Sequence, residues 1–296
     1  MAISVYERQN DKILLKCLVA QRREYSFVKR IKFWKVFISV GLVTVFTILT
    51  TIFDNLFLAS ISTLLNMLIL IVSKNIEKYM SSKQVHAAKI QQYFDANCYN
   101  STSGQQLIPL NTLFVSTEIA DIVSEVHDDA LPSVKNWYSD YSSFFPYKQI
   151  LFCQKENINW DGRLRNFYKT AIIICSVIII LGTIVYAIVK NISFNSWMTI
   201  ISFLLVIADY VINTICILNS DTKRLEQLFT AQKKAEQKCD FKSNEYEDLL
   251  KLQKLIYEHR QNCFLIPDFI YKMKEKKYQK HEDLIAENLA NIEELS

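Results

Sequence analysis

One carboxylate inside an apolar stretch is the residue best placed to do chemistry. Asp209 lies in the otherwise uncharged window 194–218, with Asn195, Ser202 and Cys216 set from it in steps of seven. Asn213 follows Asp209 by one helical turn, and Ser220 follows Cys216 by one turn. Steps of seven and four keep side chains on one face of a helix, so these residues form a narrow polar stripe. A charged Asp in mid-bilayer costs roughly 2.5–3.5 kcal/mol on insertion scales, so Asp209 is expected to face a bundle interior or a water-filled path. Thr44, Thr47 and Thr51 make a weaker stripe on an earlier apolar window, and Asn66 is the lone amide of another. The chemistry available to such a stripe is passage of ions or water through a pore lining, contact between subunits, or a hydrogen bond between packed helices. The stripe alone leaves these alternatives open.

Other chemistries find no constellation. His86, His127, His259 and His281 are scattered without metal-ligand spacing. His127-Asp128-Asp129 reads as an acidic helix end. Four isolated Gly cannot build a phosphate loop or a dinucleotide fingerprint, and no GxSxG occurs. The chain is therefore expected not to be an enzyme, and to need no cofactor and no metal. A formal net charge of +4 is too mild to point to a nucleic-acid partner. Seven Cys, odd in number, widely spaced and without CxxC, look like free thiols of a reducing compartment.

The elements that position the stripe follow from where charge is missing. A bilayer core of roughly 30 Å needs about 20 mostly apolar residues in a helix. Four windows qualify: 33–53, 56–73, 167–189 and 194–218. Backbone groups cannot stay unpaired in lipid, so helix is the state expected for each. Asp54 and Asn55 separate the first pair, and residues 190–193 the second, which gives two antiparallel hairpins, 33–73 and 167–218. The third window is nearly pure Ile, Val and Leu and should face lipid. Arg22, Arg23, Lys29, Arg30, Lys32 and Lys35 precede the first window, and Lys74, Lys78 and Lys83 follow the second. Arg163, Arg165 and Lys169 precede the third, and Lys223 and Arg224 follow the fourth. All four flanks obey the positive-inside rule, which puts the turns outside and both termini in the cytosol. No signal peptide is read in the polar first thirty residues.

Three segments then lie inside. Residues 1–32 show helical spacing at Ile13, Leu14, Cys17, Leu18 and Gln21, an amphipathic lead into the membrane. In the middle segment, 74–166, residues 74–94 continue the second window as one helix, and a break is expected at 97–106. A second helix is expected over 110–130, and an aromatic loop between Pro132 and Pro146. In the tail, 219–296, Leu225, Leu228, Ala235, Cys239, Tyr246, Leu249 and Ile256 fall on a three-four spacing, interrupted by Gln232, Lys242 and Gln253. That spacing predicts a coiled-coil-like helix or a packed helix pair, its seam within the chain or between subunits, that Pro267 stops, followed by a last helix over 268–295. The fold class is thus an all-α membrane protein, with a mainly helical cytosolic middle segment and a coiled-coil-like tail.

Several motifs, taken in order, resemble those of one family. Gln9-Asn10, then Leu18, Ala20, Arg22, Tyr25 and Lys29, stand before the first window; Phe94-Asp95 follows the second. Trp137-Tyr138, Cys153-Gln154, Asn157, Trp160-Asp161, Leu164 and Arg165 precede the third, and Arg260, Pro267-Asp268 and Tyr271 lie in the tail. This order resembles the SMODS-associated four-transmembrane (4TM) effector family of bacteria, across the whole chain. Val28 stands where that pattern often has Ala. The resemblance implies a multi-pass protein of the bacterial inner membrane, oligomeric and pore-forming, with an antiphage role that ends in death or arrest of the cell. It also implies a trigger, a cyclic oligonucleotide made by a partner nucleotidyltransferase. The alternative expectation is a non-conducting membrane receptor or scaffold that recruits a cytosolic partner.

Overall fold

The computed structural model describes residues 3–53, 56–191, 194–238 and 246–295; within them, most side chains of 39–71 and several of 194–206 lie outside the description. Eight α-helices make up the described residues: α1 Val5–Arg8, α2 Lys12–Phe53, α3 Leu56–Ser103, α4 Ser116–Ser124, α5 Pro146–Val189, α6 Phe194–Lys238, α7 Glu247–Asn262 and α8 Asp268–Leu295. The all-α class is as the sequence implied.

Four of these helices are 42 to 48 residues long, and each carries one of the four apolar windows at one end. Their starts and stops follow local chemistry. The Asp11 carboxylate accepts from the Ile13 N–H at 2.9 Å and caps α2. Pro146 opens α5 at the position where a missing N–H costs nothing. Gly104, at φ +67°, takes the left-handed conformation just past α3. The expected break at 97–106 is therefore met only at Ser103.

Among the described residues, one helix, Pro146–Val189, is long and apolar enough to cross a membrane, and its apolar window is almost wholly exposed. Ile178, Leu181, Ile188 and Val189 have no cover within the chain. This agrees with a face turned to lipid.

The charged halves of the long helices pack into one body with α1, α4, α7 and α8. The larger apolar cluster is built here, around Leu14, Leu18, Ile90, Phe94, Leu151 and Leu252. Lys83 and Lys35 of one hairpin pair with Glu24 and Glu77 across it, so α2 and α3 run side by side and antiparallel. Lys169 on α5 meets Asn219 on α6, and lower down Lys155 meets Glu236.

Three expectations need correction. Ile13, read as part of the apolar face of the N-terminal segment, is exposed, while Leu14, Cys17 and Leu18 are buried. The helix expected over 110–130 is broken into a 3-10 turn at Leu110–Thr112, the short α4 and a second 3-10 stretch, Asp128–Val134, because extended backbone at Val115 and His127 interrupts it. The tail is not one rod up to Pro267. Helix α6 ends at Lys238 and α7 runs back antiparallel to it, bringing Asn262 beside Arg224 and Tyr246 beside Tyr147, whose hydroxyl donates to the Ala235 carbonyl. Leu225, Leu228, Ala235, Leu249 and Ile256 are buried as the spacing implied, and the seam they form lies within the chain. Cys239 and Lys242 lie outside the described residues.

Candidate functional site

Beneath the apolar windows the four long helices enclose, with α7 and α8, a cavity of about 940 Å³. Helix α2 contributes Arg22, Tyr25 and Lys29; α3 contributes Gln91; α5 contributes Asn157, Trp160, Asp161 and Arg165; α6 contributes Leu225 and Leu228. The wall is completed by Trp137, by His259 and Arg260 of α7, and by Asp268, Tyr271 and Lys272 of α8. Most of the residues that carried the family resemblance are therefore on this one wall, though they are spread over some 250 positions of sequence.

The remainder of that set holds the wall in place. The buried Gln9 clamps the backbone of Tyr138, its Nε2 donating to the carbonyl at 3.1 Å and its Oε1 accepting from the N–H at 2.7 Å. Asn10 holds Asn136, accepting from its N–H at 3.1 Å and donating to its side-chain oxygen at 3.0 Å. Asn136 has φ +51°, a conformation Asn tolerates, and the clamp delivers Trp137 to the cavity. Gln154 donates to the Leu249 carbonyl and to Gln253, tying α5 to α7.

Two buried ionic knots cross the site. In the first, Asp95 is wholly buried and accepts from Tyr138 Oη at 2.6 Å, Gln253 Nε2 at 2.9 Å and Arg260 Nη1 at 2.6 Å. Asn157 completes it by donating to Tyr138 Oη. In the second, Arg165 Nε donates to Asp161 at 2.6 Å, and its Nη1 reaches Asp221 and the Phe264 carbonyl. Asp221 also accepts from the Phe264 N–H at 2.8 Å and from Arg224. His259 Nε2 lies 2.8 Å from Asp161. Burial alone would push the Asp161 carboxyl up, but Arg165 and His259 outweigh it and hold it below the usual carboxylate range. Burial pushes the Glu156 carboxyl up, to about 8, with Glu282 and Asp283 adding to the effect.

The rim is lighter in charge pairing. Lys29 meets Asp268 at 2.7 Å, and Arg22 lies 3.8 Å from Glu275, donates to the Ser133 carbonyl and lies over the Trp137 ring. Trp160 packs its ring against Tyr271 at 4.9 Å and Tyr278 at 5.4 Å. Pro267 ends the short linker that seats Phe264 and Ile266 against Leu164, Tyr168 and Leu218, directly below the apolar windows. Arg260 Nη2 and His259 Nδ1 are buried and have no hydrogen-bond partner among the described residues. Cations, an unused guanidinium nitrogen and aromatic faces together can hold an anion that carries aromatic rings.

Asp221, His259, Gln253 and Lys29 are equal members of this site. Spacing gave no sign of Asp221. Its only signal was a carboxylate set just past the fourth apolar window, where basic residues predominate.

The stripe fares differently. Asp209, Asn213, Cys216 and Ser220 share an exposed face of α6, so Asp209 does not face an interior within the single chain. The side chains of Asn195, Ser202, Asn66, Thr44, Thr47 and Thr51 lie outside the described residues. No group of His, Cys, Asp and Glu among the described residues could hold a metal ion.

Comparison with known proteins supplies context. The family model for the SMODS-associating 4TM effector domain matches residues 3–289. A probable CBASS effector molecule of Bacillus cereus (strain VD146) is 25% identical over 287 residues, covering 92% of this chain and 93% of the relative. No solved structure matches.

Proposed function

The chain belongs to the SMODS-associating 4TM effector family, and from that premise we propose that it is a regulated, membrane-permeabilising effector of a bacterial antiphage system. In this reading the windows of α2, α3, α5 and α6 cross the inner membrane, both termini stay in the cytosol, and a nucleotide second messenger from a partner nucleotidyltransferase releases the pore. The relative's description as a CBASS effector supports the defence role.

One observation carries the coupling: each of the four long helices is continuous from its apolar window to the wall of the cytosolic cavity. A helix rises 1.5 Å per residue and is stiff over several turns, so a displacement of the wall is passed upward to the window above it. The stripe supports the assembly. A carboxylate on an outer helix face is costly against lipid, and facing the same stripe of neighbouring copies around water removes that cost. Asp209 and Asn213 are then pore-lining, with Asn195 and Ser202 on the same register.

The test is dye release from liposomes holding the purified full-length protein, with cyclic oligonucleotides supplied. Release that depends on an added nucleotide is expected, as is a reduced conductance in Asp209→Ala. Intact liposomes with every nucleotide, together with full membrane potential in overproducing cells, overturn the proposal and leave the scaffold alternative.

A further inference from the structure

Resting on that reading, we propose that the cavity between the four long helices and α7–α8 is itself the messenger's binding site, with Arg260, Arg22 and Lys29 holding phosphate and Trp160 and Trp137 stacking on bases. The volume, about 940 Å³, lies at the top of the range of roughly 300–1,000 Å³ typical of small-molecule sites, which suits a ligand larger than one nucleotide. Such a cavity in the middle of a packed body is open space the fold has not filled.

The charge of the wall selects an anion. Arg22, Lys29, Lys135, Arg260 and Lys272 face it, and Arg165 is engaged by Asp161 and Asp221. Of the acids on the wall, Asp161 is spent on Arg165, Asp268 meets Lys29, Glu275 lies 3.8 Å from Arg22, and burial pushes the Glu156 carboxyl up to about 8, so it carries little charge at neutral pH. The built element is Arg260. Its Nη1 is fixed on Asp95, so the guanidinium has one orientation, and its Nη2 is left without a partner in a residue nine-tenths buried. A donor so fixed is paid for in advance and binds an anion without reorganising. The two indoles supply the second part of the recognition, since stacking on aromatic faces holds bases whatever their identity.

The same wall gives the ligand its leverage. Lys29 joins α2 to Asp268, the first residue of α8. A phosphate that draws Lys29 from Asp268 loosens the linker that seats Phe264 and Ile266 against α5 and α6 at the foot of the windows.

The experiment titrates full-length protein in nanodiscs with cyclic di-adenylate, cyclic GMP-AMP, cyclic tri-adenylate, ATP and inorganic phosphate. Tryptophan fluorescence and melting temperature are read. At least one cyclic oligonucleotide is expected to change both, and ATP and phosphate to bind far more weakly. Arg260→Lys keeps a cation on Asp95 but removes the second nitrogen, and should lower affinity about 10-fold or more with the unliganded melting temperature little changed. Arg22→Ala, on the rim, should do the same and guards against a folding defect in the first variant. No response to any cyclic oligonucleotide, or affinities untouched by both substitutions, overturns the site. Binding lost in both variants but never accompanied by liposome leakage sinks the effector reading and keeps the site. Nucleotide-triggered leakage indifferent to both substitutions sinks the site and keeps the effector.

Discussion

Asp221 shows what a single buried carboxylate does here. It joins α5 through Arg165, its own helix through Arg224, and the α7–α8 linker through the Phe264 N–H. Asp221→Ala leaves Arg165 buried with one of its three partners gone, and should cost roughly 3–5 kcal/mol of stability, read from denaturant melts in detergent. A loss under 1 kcal/mol would mean the knot is not structural. Glu156 sets a pH dependence. Its ordinary value is near 4.5 and its folded value about 8, so the folded chain holds an extra proton between those limits. Stability should therefore fall as pH rises from about 5 to 8, and Glu156→Gln should flatten that part of the profile. An unchanged slope would show that the carboxyl is ionised in the fold. Neither residue was legible in sequence: a lone Asp or Glu on a charged helix reads as surface until the fold buries it. Gln9 and Arg260 were legible only as members of an ordered pattern, and Arg165 from that pattern and as a basic flank, none of which gives a clue that they build one cavity and its support.

At the scale of elements, the long helices were easy to read because charge is absent for some 20 residues and then returns. Their continuity into the packed body was harder. Residues 74–94 showed it by period, but the start of α5 at Pro146 hid in an aromatic stretch that reads as loop. The reversal between α6 and α7 was not legible, since a three-four seam is equally satisfied by a long rod and by two helices folded on each other. The break over 110–130 was hidden for the same reason, as a short apolar run does not show where backbone turns extended. Helix α5 also offers a clean test of its own packing. Gly162 lies mid-helix, and a Cβ there would meet Phe229 at 3.8 Å and Leu225 at 4.0 Å, ordinary contact distances. Gly162→Ala should therefore raise stability by roughly 0.5–1 kcal/mol through reduced chain entropy. Destabilisation would mean that α5 and α6 must approach more closely in another state of the molecule.

For the whole molecule the question is whether both hairpin turns lie on one side of the membrane and everything else on the other. The flanking charges argue so at four places, and the packing agrees, because the ends of α2, α3, α5 and α6 that carry basic flanks all converge on one body with α7 and α8. Helix α8 runs antiparallel to α5, from Tyr271 beside Trp160 to Glu293 beside Lys148, so the tail leads away from the windows. Five of the seven native thiols leave little background, and Cys239 and Cys263 are replaced by Ser in the parent chain. Cys17, Cys98 and Cys153 are buried, and burial pushes the thiols of all three well above their usual range. Cys175 and Cys216 are exposed on the apolar windows, where lipid would keep them from an aqueous reagent. Lys190 is exposed at the turn after α5, and Asn288 is exposed near the end of α8. In intact spheroplasts a membrane-impermeant maleimide should label Lys190→Cys and leave the parent chain and Asn288→Cys unlabelled. After permeabilisation Asn288→Cys should label as well. Equal labelling of both positions in intact cells would place the turn and the tail on the same side. That result would remove the cytosolic placement of the cavity, and with it any route by which a cytosolic messenger could reach Arg260.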